Sequence, residues 1–179
     1  KKYYLDKGFF NAEVKIRQKD APDMQGTTIV DILVNRKEKV RVNEIYVTGN
    51  KALSLNKIDR AMKKTNRRKN ILNLFRTKKF NPEKFIEDKK LLIEKYNEEG
   101  FRDAIIVSDS VVQINEKQVD VYMTIDEGEK YFFRDIKWVG NTVYPSEILE
   151  RVLNIKRGDS YNAKLMSKRL FEDEDAVSN

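Results

Sequence analysis

Val42-Asn43-Glu44-Ile45-Tyr46-Val47-Thr48-Gly49-Asn50 returns 91 residues later as Phe133-Arg134-Asp135-Ile136-Lys137-Trp138-Val139-Gly140-Asn141. Each copy reads as a short strand with one apolar row, Ile45 and Val47 in the first and Ile136 and Trp138 in the second. Glycine and asparagine tolerate positive φ, so the Gly-Asn pair predicts a sharp exit from each strand. One such stretch is ordinary turn chemistry. Two in the same order define a repeat, which governs how the rest of the chain is read.

A second match lies outward from this strand. Tyr96-Asn97-Glu98-Glu99-Gly100-Phe101-Arg102-Asp103-Ala104 parallels Tyr4-Leu5-Asp6-Lys7-Gly8-Phe9-Phe10-Asn11-Ala12, each reading as a helix end stopped by glycine. After the first Gly-Asn turn, Ser54 is a fitting cap for a short helix with Leu55, Ile58, Ala61 and Met62 on one stripe. Asn81-Pro82 opens a longer helix with Phe85, Leu92 and Tyr96 inward. A strand from Ala104 to Ile114 follows, its alternation broken at Ser108-Asp109-Ser110, where a bulge is expected. From Gln118 to Asp126 the alternation is clean, with Val119, Val121, Met123 and Ile125 on one face.

The same grammar appears in part on either side. Residues 1–41 read as a helix end and a hairpin, with Val14 and Ile16 on one face of its first strand and Val30, Ile32 and Val34 at period two in its second. Residues 130–179 read as the second opening strand and two helices. The first of these carries Leu149, Val152 and Leu153 and ends at Arg157-Gly158-Asp159; the second carries Leu165, Met166 and Leu170. The expected organisation is α-β-β over 1–41, β-α-α-β-β over 42–129 and β-α-α over 130–179.

Composition narrows the function. With 40% hydrophobic and 36% charged residues, the chain describes small cores under charged surfaces. Its longest apolar run, Ala104 to Val107, is far short of the ~20 residues of a membrane helix. There is neither cysteine nor histidine, so thiolate metal sites, disulfides and Ser-His or Cys-His nucleophiles are excluded within these residues. Lys1-Lys2-Tyr3-Tyr4 is neither a signal peptide nor a plausible translation start, and the chain reads as a fragment. The net charge of +7 is local: nine basic and no acidic residues lie between Arg60 and Pro82, and without them 27 basic residues face 29 acidic ones.

A β-α-α-β-β repeat with strand-Gly-Asn, a helix ending Tyr-x-x-x-Gly-Phe and a hairpin closing at Glu127-Gly128 resembles the POTRA family. The first repeat departs from this, with Glu38-Lys39 where Glu-Gly is expected. Tandem repeats of this kind resemble the periplasmic arm of the BamA outer-membrane assembly family. The resemblance implies an α+β fold in which each three-stranded mixed sheet, third strand central, is covered on one face by two helices. It also implies a core position for Trp138, matching Val47.

Function follows as a set of expectations. The resemblance implies a non-enzymatic arm on the periplasmic face of a Gram-negative outer membrane. It would bind unfolded outer-membrane proteins and accessory assembly proteins beside a C-terminal β-barrel of the same chain, without cofactor or metal. The second strand of the complete repeat would be an open edge for an added peptide strand, marked by Ile105, Val107, Asp109 and Val111. Asp109 and the bulge equally read as protection against pairing. The basic segment, with Arg67, Arg68, Lys69, Arg76, Lys78 and Lys79, reads as a solvated loop, as a surface for phospholipid headgroups or an acidic partner, or as a nucleic-acid site. Nucleic acid is the weakest of these, with Phe75 as the lone stacking residue. The competing assignments are the arm of a dedicated secretion transporter and a nucleic-acid-binding repeat using Arg60 to Lys79. The acidic pairs Glu98-Glu99 and Asp126-Glu127 and the run Glu172 to Asp175 read as solvated surface.

Overall fold

The structure, a computed structural model, describes residues 2–22, 25–65, 79–174 and 176–177. In chain order its elements are α1 (Lys2–Asp6), β1 (Glu13–Asp20), β2 (Thr28–Asn35), β3 (Arg41–Thr48), α2 (Leu55–Ala61) and α3 (Pro82–Glu98). β4 (Ile105–Asn115), β5 (Gln118–Asp126), α4 (Ser146–Leu153), α5 (Ala163–Ser167) and a π-helical turn (Lys168–Glu172) complete it. β1 pairs with β2, and a second sheet has the order β3-β5-β4. The α+β class and the central third strand are as the sequence implies. The chain divides into two compact units, one of residues 1–46, 62–88 and 109–122, the other of residues 47–61, 89–108 and 123–179.

In the first compact unit, β1 and β2 are antiparallel with Val14 opposite Val34 and Ile16 opposite Ile32. Among the described residues little packs on either face: Val14 is half-buried, but Ile16 and Ile32 are 63% and 64% exposed. The core is built instead from Val40, Val42, Ile45, Met62, Phe80, Phe85, Val119 and Val121, all buried. Asn81 starts α3 as expected: its side-chain oxygen accepts from the Glu83 and Lys84 amides at 2.9 and 3.3 Å. Such a cap satisfies two donors that the first helical turn leaves without partners. Asp88 is fully buried on the same helix face as Phe85 and accepts from the Lys64 amide at 2.9 Å.

The second compact unit buries Leu53, Ile58, Leu92, Tyr96, Ala104, Met123 and Ile125, and further along Leu149, Leu153, Ile155 and Ala176. β3 and β5 run in the same direction: Asn43 donates to Asp120 at 2.8 Å, Tyr46 stacks on Tyr122, and the Thr48 hydroxyl lies 3.2 Å from that of Thr124. β4 returns antiparallel through Glu116-Lys117, so the sheet is mixed.

The repeat is visible in backbone bonds. Phe9 donates to the Tyr4 carbonyl at 2.8 Å and Phe101 to the Tyr96 carbonyl at 3.0 Å, each across a glycine with φ of +85° or +101°. The bridge between Arg41 and Lys79 has its counterpart in that between Phe132 and Ser160. Phe80 donates to the Val40 carbonyl, and Tyr161 likewise to the Tyr131 carbonyl.

Several expectations are corrected. Residues 133–139 form no strand. β3 is held by β5, whereas among the described residues no strand pairs with 133–139. Trp138 is half-buried rather than core, and its indole N–H has no hydrogen-bond partner among the described residues. Leu55 is 49% exposed, and Leu53, two residues earlier and ahead of the helix, takes the core position. α4 ends at Leu153 and not at Arg157-Gly158-Asp159, because Asn154 adopts the left-handed conformation and returns its amide to the Glu150 carbonyl at 2.9 Å.

Candidate functional site: an edge strand and a basic cleft

The sheet order leaves β4 paired on one side by β5 and, among the described residues, by no strand on the other. Of the residues expected to mark this edge, Ile105 and Val107 are 54% and 60% exposed, and Asp109 is exposed too. Val111 does not join them; it is half-buried, as is Ile106. Residues 106 and 111 fall on opposite faces of a regular strand, so the inward phase shifts within Ser108-Asp109-Ser110, where the bulge was expected. Beyond the shift, Val112 and Ile114 are the exposed apolar residues, 46% and 45% accessible. The alternation alone puts Val107 and Val111 in one phase and Val112 and Ile114 in the other, so it registers the exchange but places it after Val111, whereas Val111 already lies on the inward side.

The signature residues of the repeat serve structure. Gly49 has φ of +84°, and a Cβ there would overlap the Ile125 carbonyl oxygen. Asn50 donates from its side chain to the Leu53 carbonyl at 3.0 Å, and Asn141 repeats this with the Tyr144 carbonyl at 3.1 Å. The Ala52 amide, in the loop that follows, donates to both Glu127 oxygens at 2.9 and 3.0 Å. Glu127 is therefore buried, against the expectation of solvated surface for Asp126-Glu127. Burial and the nearby Glu127 carboxylate together hold the Tyr96 hydroxyl well above its ordinary ionisation range. Glu98 and Glu99 are also more than solvated: Lys164 and Lys95 pair with Glu98, and Lys57 and Lys95 with Glu99. The hydrogen bond from Lys57 is the main cause that holds the Glu99 carboxyl below its usual range.

The departure in the first repeat lies one step from where the sequence places it. Gly128, at φ +63°, donates its amide to the Asp126 side chain at 3.1 Å. Lys37, at φ +51°, makes the same turn with the Asn35 side chain at 3.2 Å. Arg36-Lys37, rather than Glu38-Lys39, thus stands in place of Glu127-Gly128. Where the second hairpin ends in a buried carboxylate, the first ends in an exposed guanidinium, 5.5 Å from the Phe9 ring centre.

Around that substitution lies a cleft of about 790 Å³ within the first compact unit. Arg36, Lys37 and Lys39 reach it from the segment after β2, and Lys63 and Lys64 from the end of α2. Lys79 and Lys84 reach it from either side of the Asn81 cap, and Glu38 is the acid on its wall. Lys79 is thus the expected basic-surface residue that the structure places. Arg67, Arg68, Lys69, Arg76 and Lys78 lie outside the described residues. Among the described residues there is no group of three or more side chains arranged to hold a metal ion, and no helix long and apolar enough to cross a membrane.

The family model described as "POTRA: Surface antigen variable number repeat" matches residues 40–128 and 131–178. The chain is 27% identical over 176 residues to the outer membrane protein assembly factor BamA of Neisseria meningitidis serogroup B, covering 96% of this chain and 22% of that protein. It is 24% identical over 174 residues to BamA of Buchnera aphidicola, covering 96% of this chain and 27% of the relative. It thus spans about a quarter of the length of these relatives. Among solved structures, the crystal structure of Haemophilus influenzae BamA POTRA3-5 is similar at 18% identity and a TM-score of 0.48, covering 92% of this chain and 61% of that one.

Proposed function

The chain belongs to the POTRA family, and from that premise we propose that it is a stretch of the periplasmic arm of a Gram-negative outer-membrane β-barrel assembly protein. In this reading residues 42–129 are one complete repeat, and residues 1–41 and 130–179 are parts of its neighbours. The arm is a binding module and not an enzyme. It holds unfolded outer-membrane proteins and accessory assembly proteins near a C-terminal barrel of the full-length chain.

The observation that carries this reading is the side of β4 that, among the described residues, no strand pairs. A strand edge offers backbone donors and acceptors to any extended peptide, with little demand on its sequence. Ile105 and Val107 before Ser108-Asp109-Ser110, and Val112 and Ile114 after it, supply apolar contact at alternate positions. That combination fits clients that share alternation and little else.

The test is binding of a labelled peptide with the apolar-polar alternation of a barrel strand, followed by fluorescence anisotropy. Binding should be abolished when alternate backbone amides of the peptide are N-methylated, and should survive reversal of its side-chain order. Equal binding of the methylated peptide would sink strand addition at this edge.

A further inference from the structure

We propose that the cleft behind Phe9 is a binding site for a compact phosphate-bearing anion, formed where the first repeat exchanges Glu-Gly for Arg36-Lys37. Its cations come from three separate stretches of chain, residues 36–39, 63–64 and 79–84, and converge on one concave volume. Local pairs neutralise some of them: Lys37 bonds to Glu13, and Lys64 to Glu87. Among the described residues, no ion pair joins Arg36, Lys39, Lys79 or Lys84 to a carboxylate. Glu38, the one acid on the wall among the described residues, cannot balance them.

The chemistry of the ligand follows from this arrangement. Ammonium groups approaching from several directions suit a tetrahedral anion, whose oxygens point several ways and carry up to two negative charges. A planar carboxylate is satisfied by one forked donor and would leave most of these groups unused. The start of α3 adds the positive end of a 17-residue helix, with its cap residue Asn81 on the cleft wall. Among the described residues Phe9 is the one apolar side chain on the cleft wall, and it is already approached by Arg36 at 5.5 Å and Lys39 at 5.0 Å. An acidic peptide would find no second apolar pocket for its side chains. The equivalent corner of the second repeat cannot serve, because Glu127 is buried there and committed to Ala52.

Calorimetric titration of the 179-residue chain with inorganic pyrophosphate tests the site. Binding should weaken about tenfold or more in the Lys79→Glu/Lys84→Glu double variant and fall steeply with added salt. A control pair with the same change of net charge, Lys15→Glu/Lys90→Glu, should leave it within about twofold. Far-UV circular dichroism and the thermal midpoint must match the parent chain in both pairs. Co-sedimentation with phosphatidylcholine vesicles carrying phosphatidylglycerol assigns the source: loss in the same double variant identifies a lipid headgroup, and its absence beside pyrophosphate binding identifies a soluble phosphate ester. No pyrophosphate binding, equal loss in the control pair, or tighter binding of hexaglutamate than of pyrophosphate would each overturn the proposal.

Discussion

Gly49 and Gly140 hold the same place in the two copies of the strand-Gly-Asn stretch, with φ of +84° and +79°. An L side chain at either position meets the left-handed backbone penalty of about 1–2 kcal/mol. Their surroundings differ. A Cβ on Gly49 would run into the Ile125 carbonyl oxygen, whereas on Gly140 it meets nothing within 4 Å. Gly49→Ala should therefore cost a further ~1–3 kcal/mol beyond Gly140→Ala, the usual range for forced overlap. Urea unfolding monitored by circular dichroism would read this as a clearly lower midpoint for the first variant, and coincident midpoints would contradict the packing at Gly49. Gly49 is thus the point where turn and central strand touch, and its neighbour Glu127 secures the loop beyond it. Lys37 shows the converse: a non-glycine residue accepts the same turn where a cation takes the place of the buried carboxylate.

At the scale of elements, α3 was legible and β4 only partly so. Helical spacing put Phe85, Leu92 and Tyr96 on one face, and all three are buried. Asp88 shares that face and escaped notice, because its reason for burial is the Lys64 amide, which no helical periodicity records. β5 was plain from alternation, since a central strand needs an apolar row and its residues show one. In β4 the broken alternation at Ser108-Asp109-Ser110 signals that the inward phase changes, but not which apolar residues turn outward: Ile106 and Val111 are the half-buried ones, Val112 and Ile114 the exposed ones. The opening strands show a further limit. Identical patterns at 42–50 and 133–141 give a ladder in one place and none in the other, because a strand is completed by a partner that local sequence does not contain. The elements differ in energetic weight accordingly. Phe85→Ala should destabilise by ~3–5 kcal/mol, as for a buried aromatic truncated to a cavity. Val107→Ala, on the open edge, should stay within about 0.5 kcal/mol. A midpoint for Val107→Ala as low as that of Phe85→Ala would mean that the edge is covered.

For the molecule as a whole, the repeat predicts uneven stability along one chain. β5 is hydrogen-bonded on both sides, and Val119, Val121, Met123 and Ile125 are all at most 3% exposed. Its amides can exchange only in openings that dismantle the core, so they should report the full unfolding free energy. Among the described residues β1 and β2 pair only with each other and are exposed at nearly every position, and a two-stranded ribbon of this kind is marginal by itself. Phe133 is held by an amide bond to the Asp159 carbonyl at 2.9 Å, but residues 134–139 belong to no ladder. Hydrogen exchange read by mass spectrometry on peptides from the intact chain should rank these regions in that order, with 118–126 slowest, β1 and β2 intermediate and 134–139 fastest. The composition of 134–139 favours a strand as much as that of β3 does, so intrinsic propensity alone predicts equal protection for the two. Slow exchange over 134–139, matching β5, would show that propensity suffices to order the second copy. Fast exchange there, beside a protected β3, locates the difference in the partner strand, the feature that makes each repeat depend on its own hairpin.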